Sequence, residues 1–196
     1  MNIGMNKMKS SKALILGIVM IGVSMMFGCG SKSTVNPLGD NLTYSYNKHS
    51  KTLTISGQGD MPEDTWETFR ELSIKHLVIE EGVTSIAKSA FYCHSEITGQ
   101  IKLPKSVNKI EDFAFYGCSG LTGDLIIPEG VTKISDYAFR GCEGLNGKLV
   151  LPSTLTDIGE EAFYKAGFTG ELVLPEKLEH IGRAVFYECT GFTGDL

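Results

Sequence analysis

The chain has little positive charge, a single tryptophan and few histidines. Its 196 residues hold 18 Lys and Arg against 23 Asp and Glu, which leaves a net charge of −5. The first 28 residues contain lysines but no acid, so the remainder is more acidic still. Nucleic acid is bound by Lys and Arg gathered on one face. Because no large basic cluster occurs, the composition argues against a nucleic-acid partner.

Motifs of common catalytic and metal sites are also lacking. The sequence has no C-x-x-C pair for zinc, no EF-hand loop and no G-x-G-x-x-G before a helix. Asp and Glu are scattered as on a solvated face, and the histidines fall at unrelated positions (His49, His76, His94, His180). We therefore expect no enzyme activity, no catalytic residue, no metal and no cofactor. The alternative is a catalytic pair of side chains that are distant in the sequence but close together in the fold.

Residues 1–28 combine a basic head with a short apolar run. Lysines precede residues 13–27, ALILGIVMIGVSMMF, which are apolar but for Ser24. The run is short for a bilayer span, and this order is typical of an export signal. The ending MFGC at 26–29 resembles the lipobox of bacterial lipoproteins. That resemblance implies a signal peptide cleaved before Cys29 and acyl chains on Cys29.

A lipid-modified Cys29 would hold the chain at a membrane, because each buried methylene contributes about 0.8 kcal/mol. An uncleaved signal anchor and simple secretion are the alternatives. Residues 29–38 are mostly polar, and we expect them to form a flexible tether.

Residues 39–76 follow a different pattern. Apolar and polar residues alternate over 42–46 and 53–55, on either side of a polar stretch, and predict a β-hairpin. A short helix is predicted near Trp66 and Phe69, which lie three apart on one face. Trp66 is either a core residue or a platform for a ligand. We expect the segment to be a cap, because the first unit of a repeat stack would otherwise expose its core.

From residue 77 to residue 196 the chain repeats every 24 or 23 residues, with five units and the start of a sixth. An Ile and a Phe five residues apart recur in phase, with Ala before the first four Phe residues and Val before the fifth. The Phe positions are Phe91, Phe115, Phe139, Phe163 and Phe186. Such a period, with one short strand per unit, is typical of leucine-rich repeats.

The unit 121–145, LTGDLIIPEGVTKISDYAFRGCEGL, shows how each coil is expected to form. Residues 125–127 predict a strand that Pro128 ends. Ile134, Ala138 and Cys142 fall at i, i+4 and i+8, the spacing of one face of a short helical turn. Asn146-Gly147 predicts the turn into the next strand, with Gly at positive φ.

These markers resemble BspA-like leucine-rich repeats, a family of bacterial surface proteins with the pattern I-P-x-x-V-x-x-I-x-x-x-A-F-x-x-C-x-x-L. The resemblance implies an α/β repeat solenoid, with short parallel strands on one face, short helical turns on the other, and an N-terminal β-hairpin cap. It also implies adhesion or binding at the cell surface, to a protein or glycan. Two departures are Cys93-His94 in place of Gly-Cys, and Ala166 in place of Cys.

The cysteines of the repeats are expected to form a buried column of free thiols, one per coil: Cys93, Cys118, Cys142 and Cys189. Side chains stacked on parallel coils point the same way rather than at each other. Disulfides are the alternative, because they are permitted outside the cytoplasm. Fewer than four free thiols after denaturation would favour that alternative.

Two outward columns are candidate binding surfaces. The outward strand position is mostly β-branched and apolar, and we name this column the strand-face stripe: Val78, Lys102, Ile126, Val150 and Val173. The position after each Phe is mostly Tyr, and we name this column the tyrosine ladder: Tyr92, Tyr116, Arg140, Tyr164 and Tyr187. The apolar residues of the first column are explained either by an interaction site or by the preference of β-branched residues for strands. The second fits a binding surface or a structural role.

The phase of the repeat also places Leu196 at the first strand position of a sixth unit. We therefore expect a fragment or a truncated form of a longer surface protein, since a solenoid normally ends in a polar cap. Two rivals to a binding protein follow from this: a targeting arm for an enzyme domain beyond Leu196, and a spacer that lifts another domain off the membrane.

Overall fold

The computed structural model describes residues 34–193. The expected signal peptide, the first half of the expected tether with Cys29, and residues 194–196 lie outside the described residues. Within them, the repeat register predicted from the sequence is confirmed, because Ile110, Ile134 and Ile158 pair directly across neighbouring coils.

The cap is a four-stranded sheet with one short helix. Its elements are β1 (Val35–Leu38), β2 (Leu42–Asn47), β3 (Thr52–Gly57), α1 (Thr65–Phe69) and β4 (His76–Ile79). β1, β2 and β3 pair antiparallel in that order, and β4, the first strand of the repeats, pairs parallel with β3. The predicted hairpin is thus present, and the sheet joins the cap directly to the first coil.

The hairpin turn is closed by Asn47, whose Oδ1 accepts the backbone N–H groups of His49 and Ser50 at 3.0 and 3.1 Å. Such local bonds are why Asn favours turns. β1 was not expected, because its residues belong to the segment 29–38 that we assigned to a tether. Its alternation buries Leu38 while Val35 stays 70% exposed, so the tether assignment is wrong for Val35–Leu38.

The repeats contribute short strands in two series. In chain order they are β5 (Ser85–Ile86), β6 (Lys109–Ile110), β7 (Leu125–Ile126), β8 (Lys133–Ile134), β9 (Leu149–Val150), β10 (Asp157–Ile158), β11 (Gly170–Glu171), β12 (His180–Ile181) and β13 (Phe192–Thr193). One series forms a parallel sheet in the order β5-β6-β8-β10-β12. The other series gives the pairs β7-β9 and β11-β13, also parallel.

The five-stranded sheet was not predicted from the sequence. Its Ile residues were assigned to a helical turn because the buried positions Ile134, Ala138 and Cys142 are four apart. The structure places Ile134 in β8, and the following segment is a series of β-turns. Among residues 34–193, α1 of the cap is the only α-helix, so the expected helical turns of the repeats are wrong.

The turns alternate two kinds of hydrogen bond. Ala138, Arg140 and Cys142 donate their N–H groups three residues back within the coil, to Ser135, Tyr137 and Phe139. The residues between them donate to the next coil, as Phe139 does to the Ala162 carbonyl at 2.8 Å. Tyr137 and Gly141 have φ of 60° and 73°, so a left-handed residue recurs every fourth position and an α-helix cannot continue.

The core is a column of stacked rings that runs through the whole stack. Each Phe lies parallel to the next, with centroids 5.2 to 6.0 Å apart, from the cap to the last coil: Phe69, Phe91, Phe115, Phe139, Phe163 and Phe186. All but the last are fully buried, and small alanines precede those of the first four coils. We name this set the Phe column.

Candidate functional site

The strand-face stripe lies on the surface, as the alternation of each strand requires. All five of its members are exposed; Ile126 is 54% and Val150 44% accessible. These two lie side by side in the register of β7 and β9, while Leu125 and Leu149 beneath them are buried. The structure therefore places Ile126 and Val150 side by side on the surface, with Lys102 and Val173 next to them on the two neighbouring coils.

Two grooves flank the paired strands β7 and β9. The N-terminal groove, of about 350 Å³, lies between Lys102 and Ile126 and has Lys105 at its edge. The C-terminal groove, of about 530 Å³, lies between Val150 and Val173. Exposed apolar grooves of this kind are typical places for ligands to bind.

The grooves coincide with gaps in the backbone ladder. Leu125 and Ile127 donate to the carbonyls of Lys148 and Val150 at 2.9 and 3.0 Å. Within the described residues, 101–103 form no such ladder with 125–127, nor do 149–151 with 172–174. Unpaired main-chain groups therefore lie beside the apolar lining, and sequence reasoning missed this because spacing does not show where a ladder breaks.

The rims of the two grooves carry opposite charge. Lys102 and Lys105 lie at the N-terminal groove. The C-terminal groove has three carboxylates and one lysine among its lining residues: Glu129, Glu171, Glu176 and Lys148. Glu129 also binds Ser153 of the next coil, whose N–H it accepts at 3.0 Å. The aliphatic pair Ile126 and Val150 thus lies between one basic groove and one mainly acidic groove.

The tyrosine ladder is also brought together, but its rings face one another. Tyr92 stacks on Tyr116 at 4.8 Å, and Tyr164 stacks on Tyr187 at 5.3 Å. Arg140 lies between these pairs, with its guanidinium 4.3 Å from the Tyr164 centroid and ion-paired to Glu161. Since the ring faces are used within the ladder, this geometry favours the structural reading over a stacking platform for a ligand.

The cysteines are free, but they do not form the uniform buried column that we expected. Cys118 and Cys142 are buried, Cys189 is half-buried, and Cys93 is exposed. The position in this column is the third residue after each Phe. In the first coil that residue is His94, which is buried in place of a thiol. The prediction of four buried thiols is therefore wrong at Cys93.

Burial sets the chemistry of the thiols that do lie in the column. It raises the pKa of Cys118 and of Cys142 well above the ordinary value, and it raises the pKa of Cys189 to about 11. Cys118 and Cys142 donate to the carbonyls of Phe91 and Phe115 in the preceding coil, at 3.0 and 3.2 Å. Such thiols serve packing rather than nucleophilic chemistry.

His94 and Trp66 meet where the cap contacts the first coil. Their ring centroids are 6.4 Å apart, and Trp66 also contacts the edge of Tyr92 at 5.7 Å. His94 is buried, its Nε2 has no hydrogen-bond partner, and burial lowers the pKa of its imidazole. Trp66 is half-buried, so it belongs to this junction more than to a ligand platform.

Within residues 34–193, no group of three or more His, Cys, Asp or Glu side chains is arranged to hold a metal ion. The same part of the chain contains no helix that is long and apolar enough to cross a membrane.

Comparison with solved structures finds bacterial leucine-rich-repeat proteins. One from Bacteroides ovatus is 28% identical, with a TM-score of 0.52; the match covers 78% of this chain and 39% of that protein. The T. pallidum leucine-rich repeat protein is 24% identical, with a TM-score of 0.57 and coverage of 80% and 69%. A leucine-rich cell surface protein from Faecalibacterium prausnitzii is 24% identical, with a TM-score of 0.50 and coverage of 83% and 54%.

The chain thus spans less than half the length of the Bacteroides ovatus protein that it resembles. No curated protein sequence matches it. The family model described as a BspA type leucine-rich repeat region, with six copies, matches residues 65–193, which is well over half of the chain. By its repeats, its register and its fold, the chain belongs to the BspA-type leucine-rich-repeat family.

Proposed function

We propose that this chain is a lipid-anchored cell-surface protein that binds a protein or glycan partner through its strand-face stripe. One observation carries the proposal: the exposed aliphatic side chains of Ile126 and Val150 lie side by side on adjacent coils, with a groove on either side of the pair. Soluble proteins rarely expose such a patch without a binding role. A stack of repeats offers an extended surface of this kind, and we regard it as non-catalytic.

The surface location is supported by the lipobox-like sequence before Cys29 and by the family. Intact-mass measurement of protein extracted from membranes tests it. We expect a chain that begins at Cys29 and carries the mass of acyl chains. An unmodified Cys29, or a mature chain that begins elsewhere, would refute the anchor.

Binding is tested by placing a charge on the stripe. We expect Ile126→Asp and Val150→Asp to abolish capture of partners by the complete protein and adhesion of cells that display it. Val35→Asp is the matched control, because Val35 is also an exposed aliphatic residue and lies on a strand of the cap. If both stripe variants capture and adhere as the parent does, the chain acts as a spacer or a targeting arm instead.

A further inference from the structure

We propose that the strand-face stripe binds a second copy of this chain, with the two solenoid axes antiparallel. This inference rests on the proposed function, since it uses the same face, and it names the partner. It is carried by the distribution of charge around the stripe.

Identical subunits usually pair through a two-fold axis. If that axis runs parallel to the strands and passes between β7 and β9, the order of coils is reversed in the second copy. Ile126 then lies opposite Val150 of the second copy, and Lys102 lies opposite Val173 of the second copy. The aliphatic centre of the stripe meets itself, and the one lysine of the stripe meets the C-terminal groove.

The charges that flank the stripe become complementary in this arrangement. Lys102 of one copy approaches the groove that is rimmed by Glu171 and Glu176 of the other. Lys105 lies opposite Glu176, since both occupy the third position after the stripe residue of their coil. Among residues 34–193, the structure shows no ion pair within the chain for any of these four side chains.

A second pair of opposite charges meets on the other side of the stripe. Lys148 of one copy lies opposite Asp124 of the other, each two residues before its stripe residue. Asp124 uses Oδ1 to accept the N–H of Lys148 in its own chain, at 2.7 Å, which leaves Oδ2 for the second copy.

The alternative two-fold axis, along the solenoid, does not fit. It would place each coil against the same coil of the second copy, so Lys102 would face Lys102. It would also bring Asp124 against Glu129, and Glu171 against Glu176. Like charges placed opposite each other cost several kcal/mol at an interface, and we therefore assign the antiparallel arrangement.

The size of the face sets the strength of the pairing. Four coils of each copy face each other, and at about 4.8 Å per coil they span about 19 Å, while the six positions from one flanking charge to the other span about 20 Å. A face of these dimensions is at the lower end of specific interfaces. We expect dissociation in the micromolar range, which suits contacts that are multiplied when many copies lie on one surface.

The test exchanges charge across the proposed axis in the full chain, in nonionic detergent, by density-matched sedimentation equilibrium. We expect the parent to show a monomer–dimer equilibrium, and Lys105→Glu and Glu176→Lys each to weaken it by more than about tenfold, because each variant alone sets like charges opposite each other twice. An equimolar mixture of the two variants should restore dimerisation to within about threefold of the parent, since each mixed pair regains both attractions.

Ile126→Asp should leave the chain monomeric. A mixture that dimerises no better than either variant would overturn the arrangement. A parent that stays monomeric to about 100 µM, far above the expected dissociation constant, would overturn self-association altogether. If the chain is monomeric but Ile126→Asp still abolishes capture of another protein, or of vesicles, this inference fails while a binding role of the face survives.

Discussion

Gly144 lies where the backbones of two neighbouring coils approach closely. A Cβ at this position would come closer than 3.0 Å to the carbonyl oxygens of Ser119 and Leu121. We expect Gly144→Ala to destabilise the protein by about 2–3 kcal/mol, because backbone must move to admit the methyl group. Thermal unfolding followed by circular dichroism measures this.

Gly130→Ala is the matched control for Gly144→Ala. A Cβ at Gly130 would have its nearest neighbours at 3.2 and 3.3 Å, and its φ is not left-handed. The methyl group should therefore be accommodated by small shifts. Equal losses of stability in the two variants would show that the different backbone preferences of Ala and Gly cause the loss, and not the close approach of the coils.

Because of His94, we expect the free energy of unfolding to depend on pH at values higher than those at which carboxylates titrate. Its imidazole is buried, and burial lowers its pKa from the ordinary 6.5, while Glu96 opposes this weakly. The unfolded chain therefore takes up a proton before the folded chain does, so stability is complete above pH 6.5 and falls as the pH drops below it. We expect the midpoint of urea unfolding to decrease from pH 7.5 to pH 5.5.

The matched variant is His94→Cys, because Cys118 and Cys142 occupy the same position in other coils. It should remove most of the decrease between pH 7.5 and 5.5, whereas His49→Gln in the exposed hairpin turn should leave it unchanged. A slope that persists in His94→Cys would assign the effect to other groups.

At the scale of the element, the tyrosine ladder depends on Arg140. Its guanidinium packs on Tyr164 and pairs with Glu161, whose side chain is only 12% exposed. We expect Arg140→Ala to cost about 2–3 kcal/mol, because it leaves a largely buried carboxylate with Arg183 alone, at 3.7 Å. Urea unfolding of Arg140→Ala, Glu161→Gln and the double variant should show a coupling of about 1 kcal/mol or more. Additive losses would mean that Arg140 acts through its packing on Tyr164 only.

How far the sequence predicts a coil can be seen from residues 121–145. The recurrence of Ile134 and Phe139 was enough to predict the register between coils and the outward position of Ile126. It was not enough to predict the conformation after Ile134, because buried residues four apart also occur where overlapping β-turns place a left-handed residue at every fourth position. Gly141 indicates a left-handed position by its residue type, because glycine favours positive φ. Tyr137 adopts φ 60° as well, but a tyrosine in the sequence does not predict it.

The sequence predicts which residues of the candidate site face outward, but not the grooves beside them. Alternation along a strand predicts that Ile126 and Val150 face outward, and the period aligns them. The grooves beside them depend on where the ladder between coils is interrupted, at 101–103 and at 172–174, and that is a property of the packing of whole coils. The turn at Asn146-Gly147 likewise has Gly for a close approach to Asp124 rather than for the positive φ that we expected.

At the scale of the molecule, the Phe column joins the cap to the repeats. Phe69 of α1 stacks on Phe91 of the first coil at 6.0 Å, with planes 11° apart. We expect Phe69→Ala to cost about 3–5 kcal/mol, as for other large-to-small changes in a core. The loss should appear in the unfolding of the whole domain, because neighbouring coils stabilise one another.

Trp66 fluorescence, which reports the junction of cap and repeats, and circular dichroism, which reports the repeats, should give coincident urea transitions for the parent and for Phe69→Ala. Val35→Ala on the exposed edge of the cap is the control and should change stability by less than about 0.5 kcal/mol. Separate transitions in the parent would mean that the cap folds independently of the coils.

The ladder of β-turns has a consequence for curvature. A leucine-rich repeat bends when its outer side is made of helices, because helices are about 8–10 Å apart while strands are about 4.8 Å apart. In these coils the rings beneath the turns are 5.2 to 5.6 Å apart, and the turns themselves are hydrogen-bonded from coil to coil. The turn side therefore advances by a step close to that of paired strands. Each added coil therefore widens the turn side far less than a helix would.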